Sequence, residues 1–512
     1  MKFIETCGGE TAGEGVRQRS TQMGTENRAY QRTLTFVYLK SVHDVLHAET
    51  TVFNSLTSGL YTKIDSDEPV TDEQIRLIEG KMREYVRADA PIARRNVSRE
   101  EVLGLFGDES SGSREYLALL KYATDVKHIA MYELDGYHNF FFGDLFRSAG
   151  SLRLFRLTRY RDGVLLRYPH PSAPDRLPDM PTDDKLYEAF EKGWDIAHGL
   201  GLRYAGDLDE EIEKGLEGDI IKLSERMHDA QIEDISERIL SRGRRVILLA
   251  GPSSSGKTTT AKRFIAKLAE DGPEPLYLGT DDYFVEREET PLDENGERNY
   301  EGLDAIDVEL FTDNIRALLA GEEADLPTFD FLTGHKVFGG RTTRIDPDRP
   351  LLIEGLHALN PAMTANLSDD EKFRIYISPL TQINLDGHNR IPATDVRLIR
   401  RMIRDHRTRG GSVEHTIHTW PKVRRGENIH VFPYYNCADA IFNSALLYEL
   451  SVMRAHAEEL LTRVRPDTPE YGDAARLLDF LRFFKKIEDE GAIPADSIIR
   501  EFIGGSLFDR GG

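Results

Sequence analysis

The tightest constraint in the chain is the run Val246-Ile-Leu-Leu-Ala-Gly-Pro-Ser-Ser-Ser-Gly-Lys-Thr-Thr-Thr260. Its unbroken apolar opening, Val246 to Ala250, reads as a buried strand. Gly251, Gly256, Lys257 and Thr258 then satisfy the spacing G-x-x-x-x-G-K-[ST], and the residues from Thr259 to Glu270 carry apolar side chains at helical spacing. Strand before and helix after are the context that this pattern requires. Glycine lets the backbone curl until successive N–H groups converge on phosphate oxygens. The helix that starts there adds its positive end. The loop Gly251, Pro252, Ser253, Ser254, Ser255, Gly256 and on to Thr259 is therefore read as a phosphate cradle. Lys257 is expected to reach the outer phosphates, and the Thr258 hydroxyl is placed to ligate Mg²⁺. ATP and Mg are the cofactors this implies.

A chain of 512 residues is too long for one ordinary core, so about two to four domains are expected. The formal net charge of −22 argues against a general nucleic-acid or acidic-membrane binder, because Lys and Arg drive phosphate-backbone binding. Cys7 and Cys437 are the only cysteines, which excludes a disulfide framework and fits a reducing cytoplasm. No apolar run approaches a membrane span.

Residues 1–28 are polar and Gly-rich and are expected to be a disordered tail. Residues 29–170 read as a small α+β domain. Thr51-Val-Phe53 and Gly59 to Ile64 look like paired strands. Thr71 precedes an amphipathic helix as its N-cap, and Ser98 with Glu101 resembles a capping box. Leu152 to Tyr168 alternates apolar and polar residues around Asp162-Gly163, a hairpin signal. This region resembles the second additional domain of threonyl- and alanyl-tRNA synthetases, through its helix, Ser58-Gly-Leu-Tyr61 and Ser148-Ala-Gly-Ser151. That family edits with a His-x-x-x-His and a Cys-x-x-x-His pair. Here His43 and His47 have the first spacing on an expected helix, but they are displaced from the matching position near Arg32 and Phe36. No cysteine lies near His138. The resemblance thus implies a binding or scaffolding domain without editing chemistry, and ordinary surface histidines.

Residues 171–242 are expected to be a linker followed by helices. Asp183 to Leu200 reads as one helix, and Asp209 to Leu240 as a second, long one with a seam at Leu216, Ile220, Leu223 and Met227. Its partner is either another helix of this chain or one from a second subunit.

Residues 243–455 alternate strands and helices, which points to a doubly wound parallel α/β sheet. Leu276 to Thr280 is a second strand ending in Asp281-Asp282, and Pro350 to Glu354 is another that ends in an acid. Acids at the carboxyl ends of parallel strands lie at the ligand-binding rim. One of them there accepts a hydroxyl proton, and Glu354 is placed to hold Mg²⁺. Arg397, Arg400, Arg401 and Arg404 recur at helical spacing and are expected to form a cationic stripe that clamps polyphosphate, or a lid over it. From His415 to Glu427 the chain reads as irregular, with Asn428 to Phe432 strand-like. Lys422, Arg424 and Arg425 there are either pocket residues or part of a structural loop. Residues 456–512 read as a helical segment with a stripe of Leu477, Leu478, Phe480, Leu481 and Phe484.

Six motifs in order resemble the uridine kinase and phosphoribulokinase group of P-loop kinases. They are Gly251 to Thr259, Asp281-Asp-Tyr-Phe284, Asn299-Tyr-Glu-Gly-Leu-Asp-Ala305, Pro327-Thr-Phe-Asp-Phe331, Ile353-Glu-Gly355 and Arg397 to Asp405. The resemblance implies Asp281, rather than Asp282, as the catalytic base, with Lys257 and Arg404 beside it. Thr258, Glu354 and Asp281 would surround Mg²⁺. Arg400 and Arg401 would join the loop on the phosphates. Tyr283, Tyr300, Glu301, Phe329, Asp330 and Arg397 would surround the acceptor. Three departures stand on the acceptor side: Glu301 where the family has Asp, Phe329 where it has a base-contacting Tyr, and Gly334 where it has His. The implied activity is an ATP- and Mg-dependent kinase of a hydroxyl acceptor, a nucleoside in the first instance. The alternatives are a kinase of a sugar phosphate or another alcohol, and a nucleotide-gated tRNA-binding protein. The oligomeric state stays open.

Overall fold

The computed structural model describes the backbone of residues 12–508, except 57–58, 67, 106–113, 171–172, 181–183 and 294–295. Cys7, Ser58 and Asp183 lie outside the described residues. The chain divides into two compact units, Met1–Val102 with His128–Pro181, and Leu103–Lys127 with Thr182–Gly512. Leu103–Lys127 thus falls in the second unit, and the stretch up to Pro181 in the first.

In the first unit, helix α1 (Ala12–Leu46) begins well inside the expected tail. Strands β1 (Thr50–Leu56) and β2 (Gly59–Ile64) follow, then α2 (Asp72–Arg87), β3 (Ala93–Ser98) and α3 (Arg99–Leu105), which runs across the unit boundary. The remaining strands are β4 (His128–Leu134), β5 (Tyr137–Phe140), β6 (Arg156–Tyr160) and β7 (Gly163–Arg167). They form an antiparallel sheet in the order β1-β2-β7-β6 and a second in the order β3-β4-β5. Thr71 caps α2 as its sequence predicts, with the Gln74 side chain closing the box. Tyr160 pairs with Gly163 across the Asp162 turn. Tyr38, Ile78, Met82, Phe155 and Leu166 form the core, each nearly or fully buried. Helix α1 ends at Leu46 and His47 turns to φ +52°, yet the His43 and His47 rings still meet edge-on with their centres 6.2 Å apart.

The second unit opens with α4 (Arg114–Tyr122), α5 (Asp184–Gly199), α6 (Ala205–Glu213) and α7 (Glu217–Arg242). The single long helix expected from Asp209 is therefore two helices, because Gly215 turns the chain at φ +76°. The seam differs as well. Of its four residues only Ile220 is fully buried, and α7 instead buries Ile221, Ser224, Glu225, His228, Ile232, Ile235 and Ile239.

The sheet that positions the site then begins with β8 (Val246–Ala250), α8 (Lys257–Asp271) and β9 (Leu276–Gly279). Next come α9 (Val308–Leu319), the short strands β10 (Ala324–Asp325), β11 (Thr328–Asp330), β12 (His335–Val337) and β13 (Thr342–Thr343), and β14 (Leu351–Glu354). The unit closes with β15 (Lys372–Ser378), α10 (Ala393–Arg409), α11 (Val413–His430), β16 (Ala440–Asn443), α12 (Glu449–Thr462), α13 (Tyr471–Leu481) and α14 (Arg500–Ile503). Five strands run parallel in the order β16-β15-β8-β14-β9. Every residue of β8 is buried, because alternate side chains enter two separate cores. Val246 and Leu248 pack with Phe311 and Ile353, while Ile247 and Leu249 pack with Ile239, Phe264 and Phe502. Both faces of the sheet are thus covered, as a doubly wound fold demands. The chain crosses β8 between β14 and β15, so the topological switch falls at the carboxyl end of β8, where ligands bind in such sheets.

One further expectation fails here. The irregular stretch and strand read between His415 and Phe432 are the single helix α11, which carries Pro421 on its exposed side.

Candidate functional site

The carboxyl end of β8 enters the loop at Gly251, where an added Cβ would lie 2.2 Å from the Ile377 carbonyl oxygen. Ser254 at φ +59° and Gly256 at φ +88° supply the left-handed curl. Gly256 is also the N-cap of α8 and offers no side chain to cap the first N–H groups, the donors that an anion in the loop would use. The Ser254 and Ser255 hydroxyl oxygens are buried and have no hydrogen-bond partner among the described residues. Buried polar atoms without partners are costly, and a phosphate in the curl would relieve them. Lys257 lies across the same loop, donating to the Pro252 carbonyl at 3.3 Å.

Parallel register brings the second group of residues to this loop. Glu354 at the end of β14 stands opposite Leu249 of β8 and Gly279 of β9. Its Oε2 accepts from the Thr258 hydroxyl at 3.2 Å and from the Tyr277 hydroxyl at 2.9 Å. Desolvation pushes the Glu354 carboxyl up to about 7, with Lys257 opposing and Asp281 adding to the shift. A divalent ion between Thr258 and Glu354 would offset that penalty, so these two residues fit Mg²⁺.

Asp281 and Asp282 share a 3₁₀ turn after β9 but differ in commitment. Asp282 accepts from Arg341 at 2.6 Å. Asp281 makes no hydrogen bond or ion pair among the described residues, and its side chain opens to solvent at the rim. Crowding by protein atoms raises its pKa, Lys257 pulls it down, Asp282 pushes it up, and Arg409 and Arg404 lower it.

The arginine helix α10 does not carry the exposed stripe that its spacing predicts. Arg397 and Arg400 are 2% and 0% exposed. Arg397 donates to both carboxylate oxygens of Glu427, at 2.8 and 2.6 Å, and stacks on Trp420. Arg400 donates to Glu449 at 2.8 and 2.5 Å and to the Ser444 carbonyl at 2.8 Å, with the Ser254 carbonyl at 3.5 Å. Neither guanidinium is free to clamp acceptor or donor, because removing a buried charge from its carboxylate is strongly unfavourable. They brace the loop instead. The outer pair differs. Arg401 donates to the Ser253 hydroxyl at 3.0 Å, and Arg404 is held by Asp405 at 2.9 Å.

On the other side of Asp281, Glu301 is half-buried. Desolvation raises its carboxyl to about 7, against the pull of Arg401 and with a push from Glu427 and Asp281. Phe329 is buried in an aromatic group with Phe284 and Phe331, at 5.6 and 5.2 Å between ring centres, and Tyr300 sets its ring edge-on to Phe284. Besides Arg397, two expected acceptor residues do not join them. Tyr283 is 1% exposed, packs on Phe311 and accepts from Asn314, so it belongs to the core. Asp330 spends its carboxylate on the Leu332 N–H at 2.8 Å, capping the hairpin turn. Gly334 has φ +83°, and a Cβ there would meet Arg287 at 2.5 Å, so this loop leaves no room for a side chain. Lys422 is tied to Asp293 and Arg424 to Glu427, at 2.7 and 2.8 Å.

The sequence reading missed Tyr277, Glu427 and Glu449. Tyr277 lies in the strand before the acidic pair, and Glu449 closes an apolar run after β16. An acid embedded in buried surroundings is the signal that marks a partner for a buried arginine.

A five-stranded parallel sheet with a phosphate loop at its switch point and acids on neighbouring strands defines a P-loop kinase fold. The model of the phosphoribulokinase / uridine kinase family matches residues 246–449. A uridine kinase of Chloroflexus aurantiacus is 30% identical over 198 residues, covering 38% of this chain and 85% of that protein. One from Leuconostoc citreum is 28% identical over 175 residues, covering 34% and 73%. Among solved structures, a possible uridine kinase from Bacillus stearothermophilus aligns with 22% identity and a TM-score of 0.30 over 42% of this chain and 98% of that one. The chain belongs to the phosphoribulokinase / uridine kinase family, through this C-terminal region. No helix among the described residues is long and apolar enough to cross a membrane.

Proposed function

We propose that the chain transfers the γ-phosphate of ATP, with Mg²⁺, to a hydroxyl of a small acceptor, and that the acceptor is a nucleoside. The observation that carries this reading is the convergence of Lys257, the Thr258–Glu354 pair and an uncommitted Asp281 on a loop with unpaired hydroxyls. In this reading Asp281 takes the proton of the acceptor hydroxyl as that oxygen attacks, and its raised pKa makes it a better base than an ordinary Asp. Lys257, Arg401 and Arg404 stabilise negative charge on the phosphates, and the buried Arg397 and Arg400 keep the loop rigid. Bound Mg²⁺, held by Thr258 and Glu354, would neutralise part of that charge.

Relatives described as uridine kinases support the nucleoside. Phe329 and Gly334 favour a second reading, a non-nucleoside alcohol such as a sugar phosphate, because neither offers a donor to a base. For the first unit, its α+β fold supports a binding or scaffolding role. A panel of nucleosides and sugar phosphates, assayed for acceptor-dependent ADP release by the full chain, tests the proposal. Release with a nucleoside is expected. Release with sugar phosphates alone selects the second reading, and no acceptor-dependent release contradicts both.

A further inference from the structure

The C-terminal segment reaches the phosphate loop from behind. Ile498, Ile499 and Phe502 are fully buried. Ile498 lies so close to the loop that a Cβ on Gly256 would meet it at 2.4 Å. Phe502 carries the Arg400 guanidinium on its ring, and Arg407 donates to the main-chain carbonyls of Glu501 and Phe502 at 3.1 and 3.2 Å. The main chain is thereby anchored on several sides. The half-buried Glu501 side chain takes donors of the loop itself: its Oε2 accepts from the Thr259 hydroxyl at 2.8 Å and from the Thr259 N–H at 3.3 Å.

Thr259 is the third residue of α8, and its N–H is among those that a helix start leaves without an intrahelical partner. An anion bound in the loop calls on these same donors and on the same positive helix end. A second carboxylate, Glu427, accepts from the Ser253 N–H at 2.9 Å, but the two acids are held differently. Glu427 is fully buried and neutralised in place by Arg397 and Arg424. Glu501 makes no ion pair among the described residues, and its carboxylate is held only by donors that belong to the loop. It can leave by rotating its own side chain while Ile498 and Phe502 stay packed.

We propose that Glu501 is an internal competitor for the nucleotide. Its carboxylate occupies the Thr259 donors while the loop is empty and swings aside when a phosphate takes them, so the C-terminal segment sets the affinity of the loop. The proposal rests on the reading of the loop as a nucleotide site. Equilibrium binding of ADP with Mg²⁺ by the full chain tests it without turnover, comparing the parent with E501Q and with E501D, which keeps the charge but withdraws it from Thr259. Both variants are expected to lower the Kd about three- to tenfold, with the E501Q gain shrinking as salt rises. If E501Q lowers the melting temperature, E501D carries the test alone. Unchanged or weaker binding with the melting temperature intact overturns the proposal and makes Glu501 a brace of the loop. If folded parent and variants all fail to bind ADP, the nucleotide reading itself falls, which is a different failure.

Discussion

On the phosphate-loop side of the site, charge is organised by long-range pairing. Arg397 and Arg400 are sealed against acids 30 and 49 positions away, and one of these acids, Glu427, also accepts from the Ser253 N–H of the loop. The hairpin side, β11 and β12, is organised by aromatic packing and turn geometry. Phe329 is buried there, while Phe331, Leu332, Val337 and Phe338 remain exposed. The first side is rigid and chemically specified, and it coincides with the family's motifs. The second carries Phe329 and Gly334, where by its sequence this chain is expected to depart from the family's pattern. A site whose phosphate chemistry is fixed while its acceptor wall varies can keep its reaction and change its substrate.

That comparison breaks most sharply at Arg400. Arg400→Ala leaves Glu449 buried without its cation and with only the Leu446 N–H to hold it, so a loss of about 3–5 kcal/mol in denaturant-unfolding stability is expected. A loss below about 1 kcal/mol would show that the inner arginines are not braces. Arg404→Ala sharpens the same division from the other side. It should leave the melting temperature nearly unchanged and lower kcat about 100-fold, since in the proposed function this charge stabilises the phosphates in the transition state. The smallest effect lies across the rim at Glu301. Its carboxyl is raised from 4.5 to about 7, so its contribution to stability is present below about pH 4.5 and is lost as pH rises through about 7. E301Q has no charge to bury. Its melting temperature relative to the parent should therefore climb between those limits, and a flat difference would place Glu301 in solvent.

Much of the phosphate-loop side is legible in the sequence, because Val246 to Thr260, Asp281 and Glu354 are local spellings: a buried strand, then a glycine turn or an acid. The inner arginines are not, because helical spacing shows only that Arg397, Arg400, Arg401 and Arg404 lie within one arc of α10. Which of them face solvent depends on Glu427 and Glu449, and no local window contains either. Helix α11 is hidden by Pro421, which usually ends a helix, but here it sits on the exposed side of one that continues to His430. The break at Gly215 fails in the opposite way, since apolar spacing continues through a residue whose backbone turns. Tyr283 and Asp330 belong to acceptor motifs by spelling, yet one is drawn into the core by Phe311 and the other is used up by its own turn.

The central claim is that Asp281 is the uncommitted acid at the rim and acts as the base. The most direct measurement pairs turnover with nucleotide binding for Asp281→Asn in the full chain, using whichever acceptor the panel identifies. The account predicts a fall in kcat of about 100- to 10,000-fold with the ADP Kd within about twofold of the parent. Turnover within about twofold of the parent would contradict it.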